Sequence, residues 1–203
     1  MGDLAENDKI DCARIAMFLD TDGYITIMVR QRGIAGNAYL GPSLGFTNTS
    51  KLLIDWTHET LTRLGVPHYL KWYSVDKLKG THSRKPQGRI VILGQNRCSK
   101  IIPLVLPYLV GKLAQGKLVA EYLASRILSK HKQLYTDREL QIANDIRALN
   151  DNKGGSWRPI SSETLRQTVE LRAQMKRKLK IKSDLHGDMQ SAAEMTAPAN
   201  IGE

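Results

Sequence analysis

Cysteine is nearly missing from this chain, with only Cys12 and Cys98 among 203 residues. Two thiols cannot build a disulfide framework or a four-cysteine zinc site. The histidines (His58, His68, His82, His131 and His186) show no metal-ligand spacing. Long apolar runs are missing too. Stretches such as Ile101–Val110 fall far short of the roughly 20 residues a membrane-spanning helix needs, so a membrane protein is excluded. The opening MGDLAENDK is acidic and lacks the apolar stretch of a signal peptide. A soluble intracellular protein with reduced thiols is therefore expected.

Acid is scarce where base is plentiful. Thirty Lys and Arg face twenty Asp and Glu, and four of those acids (Asp184, Asp188, Glu194 and Glu203) lie in a final segment without Lys or Arg. Residues 1–183 thus hold 30 basic against 16 acidic side chains, a net charge of +14. A body that basic usually meets a polyanion, most often nucleic acid. Residues 184–203 read as a disordered acidic tail, leaving 1–183 as the folded domain.

Residues 8–20 read as a helix ending at Asp20-Thr21-Asp22-Gly23. Beyond Gly23 the period becomes alternating. Ile25, Ile27 and Val29 share one face; Tyr24, Thr26, Met28, Arg30 and Arg32 share the other. Gly33–Asn37 makes a turn and Ala38–Asn48 the returning strand. Thr49-Ser50 then offers a cap for a helix from Lys51 to about Leu64, closed by Gly65. The pattern repeats. His68–Leu78 alternates, with Leu70 and Trp72 opposite Lys71, Tyr73 and Lys77. A basic loop carrying Arg84 and Lys85 leads into the strand Arg89–Leu93. A third helix is expected over Ser99–Tyr108, capped by Asn96, with Pro103 near its first turn. Further helices are expected over Lys112–Ser129 and Asp137–Leu149, and another over Glu163–Lys180. Trp56 and Trp72 are core candidates, whereas Trp157 has no evident role.

The order is α-β-β-α-β-β-α with extra C-terminal helices. That is an α+β architecture, a four-stranded antiparallel sheet backed by helices on one face. The opposite face carries Arg30, Arg32, Lys71, Tyr73, Lys77 and Arg89. It reads equally as a duplex-binding surface or as a solvated face. The basic run Lys176–Lys182 is ambiguous in the same way, between backbone contact with a nucleic acid and a solvated helix.

The sharpest local feature is Ile15-Ala16-Met17-Phe18-Leu19-Asp20-Thr21-Asp22-Gly23. Its D-x-D-G suggests an EF-hand loop, but a loop starting at Asp20 puts Ile25 where glycine is required and Gln31 where the bidentate Glu belongs. A plain structural turn accounts for the four residues equally well. The nine together resemble the motif of the single-motif LAGLIDADG homing endonucleases, the homodimeric type encoded by group I introns. The similarity extends from about Ile10 to Arg172. It includes Gly45-Phe46-Thr47-Asn48-Thr49-Ser50, Leu106-Pro107-Tyr108-Leu109 with Lys112, Ile146–Asn150 and Ser161–Thr164. One departure is Met17, where the family commonly carries a small residue.

The resemblance implies a site-specific double-strand DNA endonuclease with an αββαββα saddle fold. The motif's second acid, here Asp22, would hold Mg²⁺, with Mn²⁺ as an alternative ion and the Thr21 carbonyl completing the shell. Lys112, Asn48 and Lys51 would line the catalytic site. Asp20 would be mainly structural. Bases would be read by Tyr24, Thr26, Met28, Arg30, Arg32, Lys71, Tyr73, Lys77 and Arg89, while Arg84 and Lys85 grip phosphate. No second D-x-D-G occurs in the chain, so cutting two strands calls for a C2 homodimer paired along the motif helix. Cys12, Ala16, Met17 and Asp20 are the expected interface residues. The expected target is a long pseudo-palindrome, cut to leave short 3′ overhangs. A non-cleaving RNA maturase acting on intron RNA, or a DNA-binding regulator, is the alternative on the same fold.

Overall fold

The computed structural model describes residues 5–31, 38–77, 85–128, 135–151, 160–161 and 163. The expectations for Arg32, Arg84, Trp157, the run Lys176–Lys182 and the tail 184–203 lie outside the described residues. The chain divides into two compact units, Met1–Arg30 with Leu40–Ser161 and Gln31–Tyr39 with Ser162–Glu203. The first holds nearly all the described structure and is the subject below.

Its elements are α1 (Glu6–Asp22), β1 (Gly23–Gln31), β2 (Ala38–Asn48), α2 (Lys51–Arg63), β3 (Tyr69–Tyr73), β4 (Gln87–Leu93), α3 (Gln95–Val105), α4 (Leu113–Leu128) and α5 (Asp137–Asn150). The strands form an antiparallel sheet in the order β1-β2-β4-β3. Gly45 pairs with Val91 and Thr47 with Arg89 between β2 and β4, and Lys71 pairs with Arg89 between β3 and β4. On the inner face Ile25, Ile27, Leu44, Phe46, Ile90 and Ile92 are buried with Ile15, Phe18 and Leu19 of α1 and Ile101 and Ile102 of α3. The Phe18 and Phe46 rings lie 5.0 Å apart.

Local chemistry sets the helix limits. The Ser50 hydroxyl accepts from the Leu53 N–H, starting α2. Gly65 closes it at φ 66°, with the Val66 N–H bonding the Leu61 carbonyl at 2.9 Å. Thr136 and Glu139 form a reciprocal capping box at the start of α5.

Several sequence expectations need correction. The motif helix, expected over residues 8–20, starts at Glu6 and runs two residues past Asp20, carrying Thr21 and Asp22 in its last turn. The third helix begins at Gln95 rather than Ser99, because Gly94 takes φ 87° and its carbonyl accepts from Cys98. Pro103 therefore sits near the helix end, not in its first turn, and faces outward where water can serve the carbonyl its missing N–H leaves free. The third strand ends at Tyr73, and Lys77 lies in a short 3₁₀ turn beyond it. Trp72 faces the helices, against Gly88, yet is 36% exposed because β3 is an edge strand. Trp56 is only half-buried.

Candidate active site and nucleic-acid face

The two acids of the motif have different surroundings, although they sit two residues apart. Asp20 is half-buried and turned toward the loop before α4. One carboxylate oxygen accepts the Val110 N–H at 2.8 Å, and the other accepts the Lys112 N–H at 2.7 Å. Lys112 returns the contact, its ammonium donating to the carbonyls of Leu19 (2.7 Å) and Asp20 (2.5 Å). A cation at the end of a helix meets carbonyls that have no partner within the helix. Burial pushes the Lys112 ammonium below its usual pKa, while the charges of Asp20 and Asp22 pull it back up. Asp20 and Lys112 thus lock the end of α1 to the start of α4.

Asp22 is exposed and takes part in no ion pair among the described residues. Its Oδ2 accepts from the Asn48 side-chain amide at 2.7 Å. The Asn48 Oδ1 accepts the Ser50 N–H at 2.8 Å, which fixes which end of the amide faces the acid. The last residue of β2 and the cap of α2 therefore hold Asp22 from one side and leave its other oxygen open. Asn48 and Asp22 meet as a pair of expected site residues. Lys51 does not join them, since its ammonium is engaged with Asp55 one turn along α2. The Thr21 hydroxyl bonds back to the Met17 and Phe18 carbonyls.

Gly23 makes this junction tight. A Cβ there would stand 2.6 Å from the Leu19 Cα and 3.0 Å from the Gly45 carbonyl oxygen. The backbone at Gly23 is extended, so close approach rather than left-handed geometry demands glycine. Beside Asp22 an open groove of about 390 Å³ is lined by Arg14, Met17, Phe18, Thr21, Leu53 and Trp56.

The residues expected on a pairing face of α1 are only partly exposed. Met17 is 65% exposed, but Cys12 and Ala16 are fully buried in this chain's own core and Asp20 is engaged with the loop at Val110–Lys112. The outward face of α1 instead carries Ile10, Arg14, Met17 and Thr21, at helical spacing. That periodicity is legible in the sequence; which stripe the core claims is not.

None of the four strands contains Asp or Glu. On the outer face Lys71 stands directly opposite Arg89, a like-charged cross-strand pair that costs stability unless an anion sits over it. Arg89 reaches the Tyr24 hydroxyl at 3.5 Å, a hydrogen bond that raises the guanidinium pKa further. The Lys71 ammonium lies 5.1 Å from the Tyr73 ring centre, and one Arg30 nitrogen donates to the Met28 sulfur at 3.4 Å. Thr26 is half-buried on the same face, and Lys85 is exposed just before β4. Tyr69, with Arg97 stacked 4.6 Å from its ring centre, was not anticipated. Nor was the outward row of β2, where Gly41, Ser43 and Gly45 are all buried. Small residues at every second position were the available signal for that row.

No helix among the described residues is long and apolar enough to cross a membrane, and no group of three or more potential metal-binding side chains occurs among them. No protein-family model matches this chain, and no curated protein matches it in sequence. Solved structures match its fold. The homing endonuclease I-CvuI, in complex with its target in the presence of calcium, superimposes with a TM-score of 0.59 at 20% identity, covering 83% of this chain and 98% of that one. The archaeal intron-encoded I-Vdi141I, complexed with DNA, gives 0.56 at 12% identity over 82% of this chain and 99% of its own. The group I intron-encoded I-CeuI, also complexed with DNA, gives 0.53 at 14% identity over 85% and 79%. At these identities the likeness is one of architecture: the chain has the α+β fold of the single-motif LAGLIDADG homing endonucleases.

Proposed function

We propose that this chain is a site-specific double-strand DNA endonuclease that works as a homodimer on a long pseudo-palindromic target and leaves short 3′ overhangs. The observation that carries the reading is a sheet without a single acid, bearing Lys71 opposite Arg89, that ends at the exposed Asp22–Asn48 pair. Cations on the sheet would take up phosphates and base edges in the major groove. A carboxylate held at the end of that surface stands where a backbone phosphate would be cut.

The residues at Asp22 fit a hard divalent cation, Mg²⁺ in the first instance. Such an ion keeps several waters and needs only one or two carboxylates plus substrate phosphate, and Asp22 offers an accessible carboxylate with no ion-pair partner among the described residues. The Thr21 carbonyl is the proposed second ligand. When bound, the ion supplies a hydroxide from its water and neutralises charge on the phosphate. The chain's own residues do the rest. Asn48 fixes the Asp22 carboxylate so that one oxygen remains free. Asp20 and Lys112 immobilise the helix end that carries it, the Lys112 ammonium being held on the Leu19 and Asp20 carbonyls. Lys51, engaged with Asp55, serves the site only after releasing that partner.

One chain supplies one Asp22, so a twofold pairing through Ile10, Arg14, Met17 and Thr21 would bring two together near the axis. Each sheet would then cover one half-site.

The test is cleavage of a randomised-duplex plasmid library in Mg²⁺, comparing wild type with Asp22→Asn. A discrete cut that needs Asp22 supports the endonuclease, and symmetry in the recovered site supports the dimer. Selective retention of DNA or intron RNA without any cut would move the function to a regulator or maturase on this fold.

A further inference from the structure

Strands β1 and β4 are not neighbours, because β2 runs between them. Side chains from the two nevertheless touch. The Arg89 guanidinium on β4 lies 5.9 Å from the centre of the Tyr24 ring on β1 and donates to its hydroxyl at 3.5 Å. Adjacent strands are about 4.8 Å apart, so this contact crosses two strand spacings. It can do so because position 45 presents no side chain. A Cβ on Gly45 would stand 2.5 Å from the Tyr24 Cε1 and 2.7 Å from its hydroxyl oxygen. Ser43, the next outward residue of β2, is also small, and its hydroxyl lies 3.4 Å from that of Tyr24. Tyr24 therefore lies flat across a trough in the sheet and ends at Arg89.

Register places this pair beside the acid. Thr47 pairs with Arg89 and Asn48 with Gly88, so Arg89 follows the residue opposite the amide that holds Asp22. Tyr24 is the second residue after Asp22. Arg30 stands near the opposite end of β1, and Lys71 lies one strand further out. Arg89 is thus the sheet cation nearest the acid in register.

We infer that Tyr24 is a positioning residue, admitted by Gly45, that holds Arg89 as a guanine reader for the base pair closest to the cut. The inference rests on the endonuclease reading above. An arginine reads guanine through two N–H groups aimed together at O6 and N7, and its selectivity depends on that aim. A free arginine on an exposed strand samples many rotamers and finds any phosphate. The Tyr24 ring and hydroxyl, with a second hydrogen bond to Tyr73 on β3, restrict the guanidinium, whose five N–H donors outnumber these partners. The remaining cation of the pair, Lys71, stays outside this clamp.

The experiment takes the site recovered from the plasmid library and synthesises duplexes with each of the four base pairs at every position of a half-site. Relative cleavage and binding are measured for wild type, Arg89→Ala, Tyr24→Phe, Tyr24→Leu and Gly45→Ala. Wild type should prefer guanine at the innermost read position by about tenfold or more. Arg89→Ala should abolish that preference. Tyr24→Leu should flatten it, and Tyr24→Phe, which keeps the ring, should retain part of it. Preference ratios at the outer positions should match wild type in all three. Gly45→Ala should resemble Tyr24→Leu if it folds; the Tyr24 variants decide the matter if it does not. A loss of equal size on every sequence, or an innermost preference unmoved by Arg89→Ala, would overturn the assignment while leaving the endonuclease intact. A wild-type protein that selects no duplex would overturn both.

Discussion

Replacing Asp20 with Asn should separate it sharply from Asp22→Asn, and the size of each effect can be worked from the contacts. The Asp20 carboxylate accepts two backbone N–H groups, from Val110 and Lys112. An amide keeps one acceptor oxygen and turns an NH₂ toward the other N–H, so one backbone donor loses its partner. Hydrogen bonds to a charged group contribute about 1.5–3 kcal/mol, and a stranded donor costs about 1–3 kcal/mol. Asp20 is half-buried, so a value near the middle of these ranges applies, roughly 2 kcal/mol. Removing a negative charge from the end of a helix returns about 0.3–1 kcal/mol. The net cost should be about 1–2 kcal/mol by this arithmetic. Asp22→Asn loses one exposed contact with Asn48 and should stay within about 0.5 kcal/mol of wild type. Urea unfolding followed by tryptophan fluorescence measures both, with unchanged slopes required for the comparison. Equal destabilisation by the two variants, or none from Asp20→Asn, would refute the division into a structural and an exposed acid.

Gly23→Ala should destabilise by about 1–3 kcal/mol, because the added methyl meets the Leu19 backbone and cannot be accommodated by a rotamer change; a thermal midpoint equal to wild type would contradict the close packing. Asn48→Ala should weaken Mg²⁺-dependent cleavage more than duplex binding, and titration of cleavage rate against Mg²⁺ should shift to higher concentration if the amide orients Asp22. Cys98 is fully buried, donates toward the Pro42 and Ile92 carbonyls, and has its thiol pKa pushed up to about 12 by burial. It should therefore resist a thiol reagent in the native protein and react on denaturation. The raised value also gives a pH signature. Stability from keeping this thiol protonated is complete below 9.0, the ordinary thiol value, and is lost as pH rises toward about 12. Comparing unfolding of wild type and Cys98→Ala across that range should show the difference narrowing.

Much of the molecule was legible from local pattern. Alternation after Gly23 marked β1, Ser50 and Gly65 marked the limits of α2, and the loss of period at Asp22-Gly23 marked the turn from helix to sheet. These are short-range matters of periodicity, capping and backbone freedom, which a sequence states directly. Where short-range signals competed, sequence reading erred. Asn96 looked like a cap, but Gly94 could adopt a left-handed conformation and started α3 earlier.

The candidate site divides along the same line. Asp22 stood out by its motif, and Asn48 and Lys112 only through the family resemblance, whereas their partnerships depended on the tertiary fold. Asn48 meets Asp22 because β2 ends beside the last turn of α1, 26 positions away in the chain. Lys112 turns to the carbonyls of α1, and Lys51, equally basic, turns to Asp55. Cys12, Ala16 and Met17 lie within two turns of one helix, yet the core encloses the first two and leaves the third exposed. Likewise the expected third strand, His68–Leu78, includes Asp76, so the sheet is free of acid only because β3 ends at Tyr73, and the strand order β1-β2-β4-β3 is what puts Lys71 opposite Arg89 and Tyr24 across Gly45. Composition and periodicity are properties of neighbours in sequence. Which side chains share a site is a property of packing, set by burying one face of each element against the others.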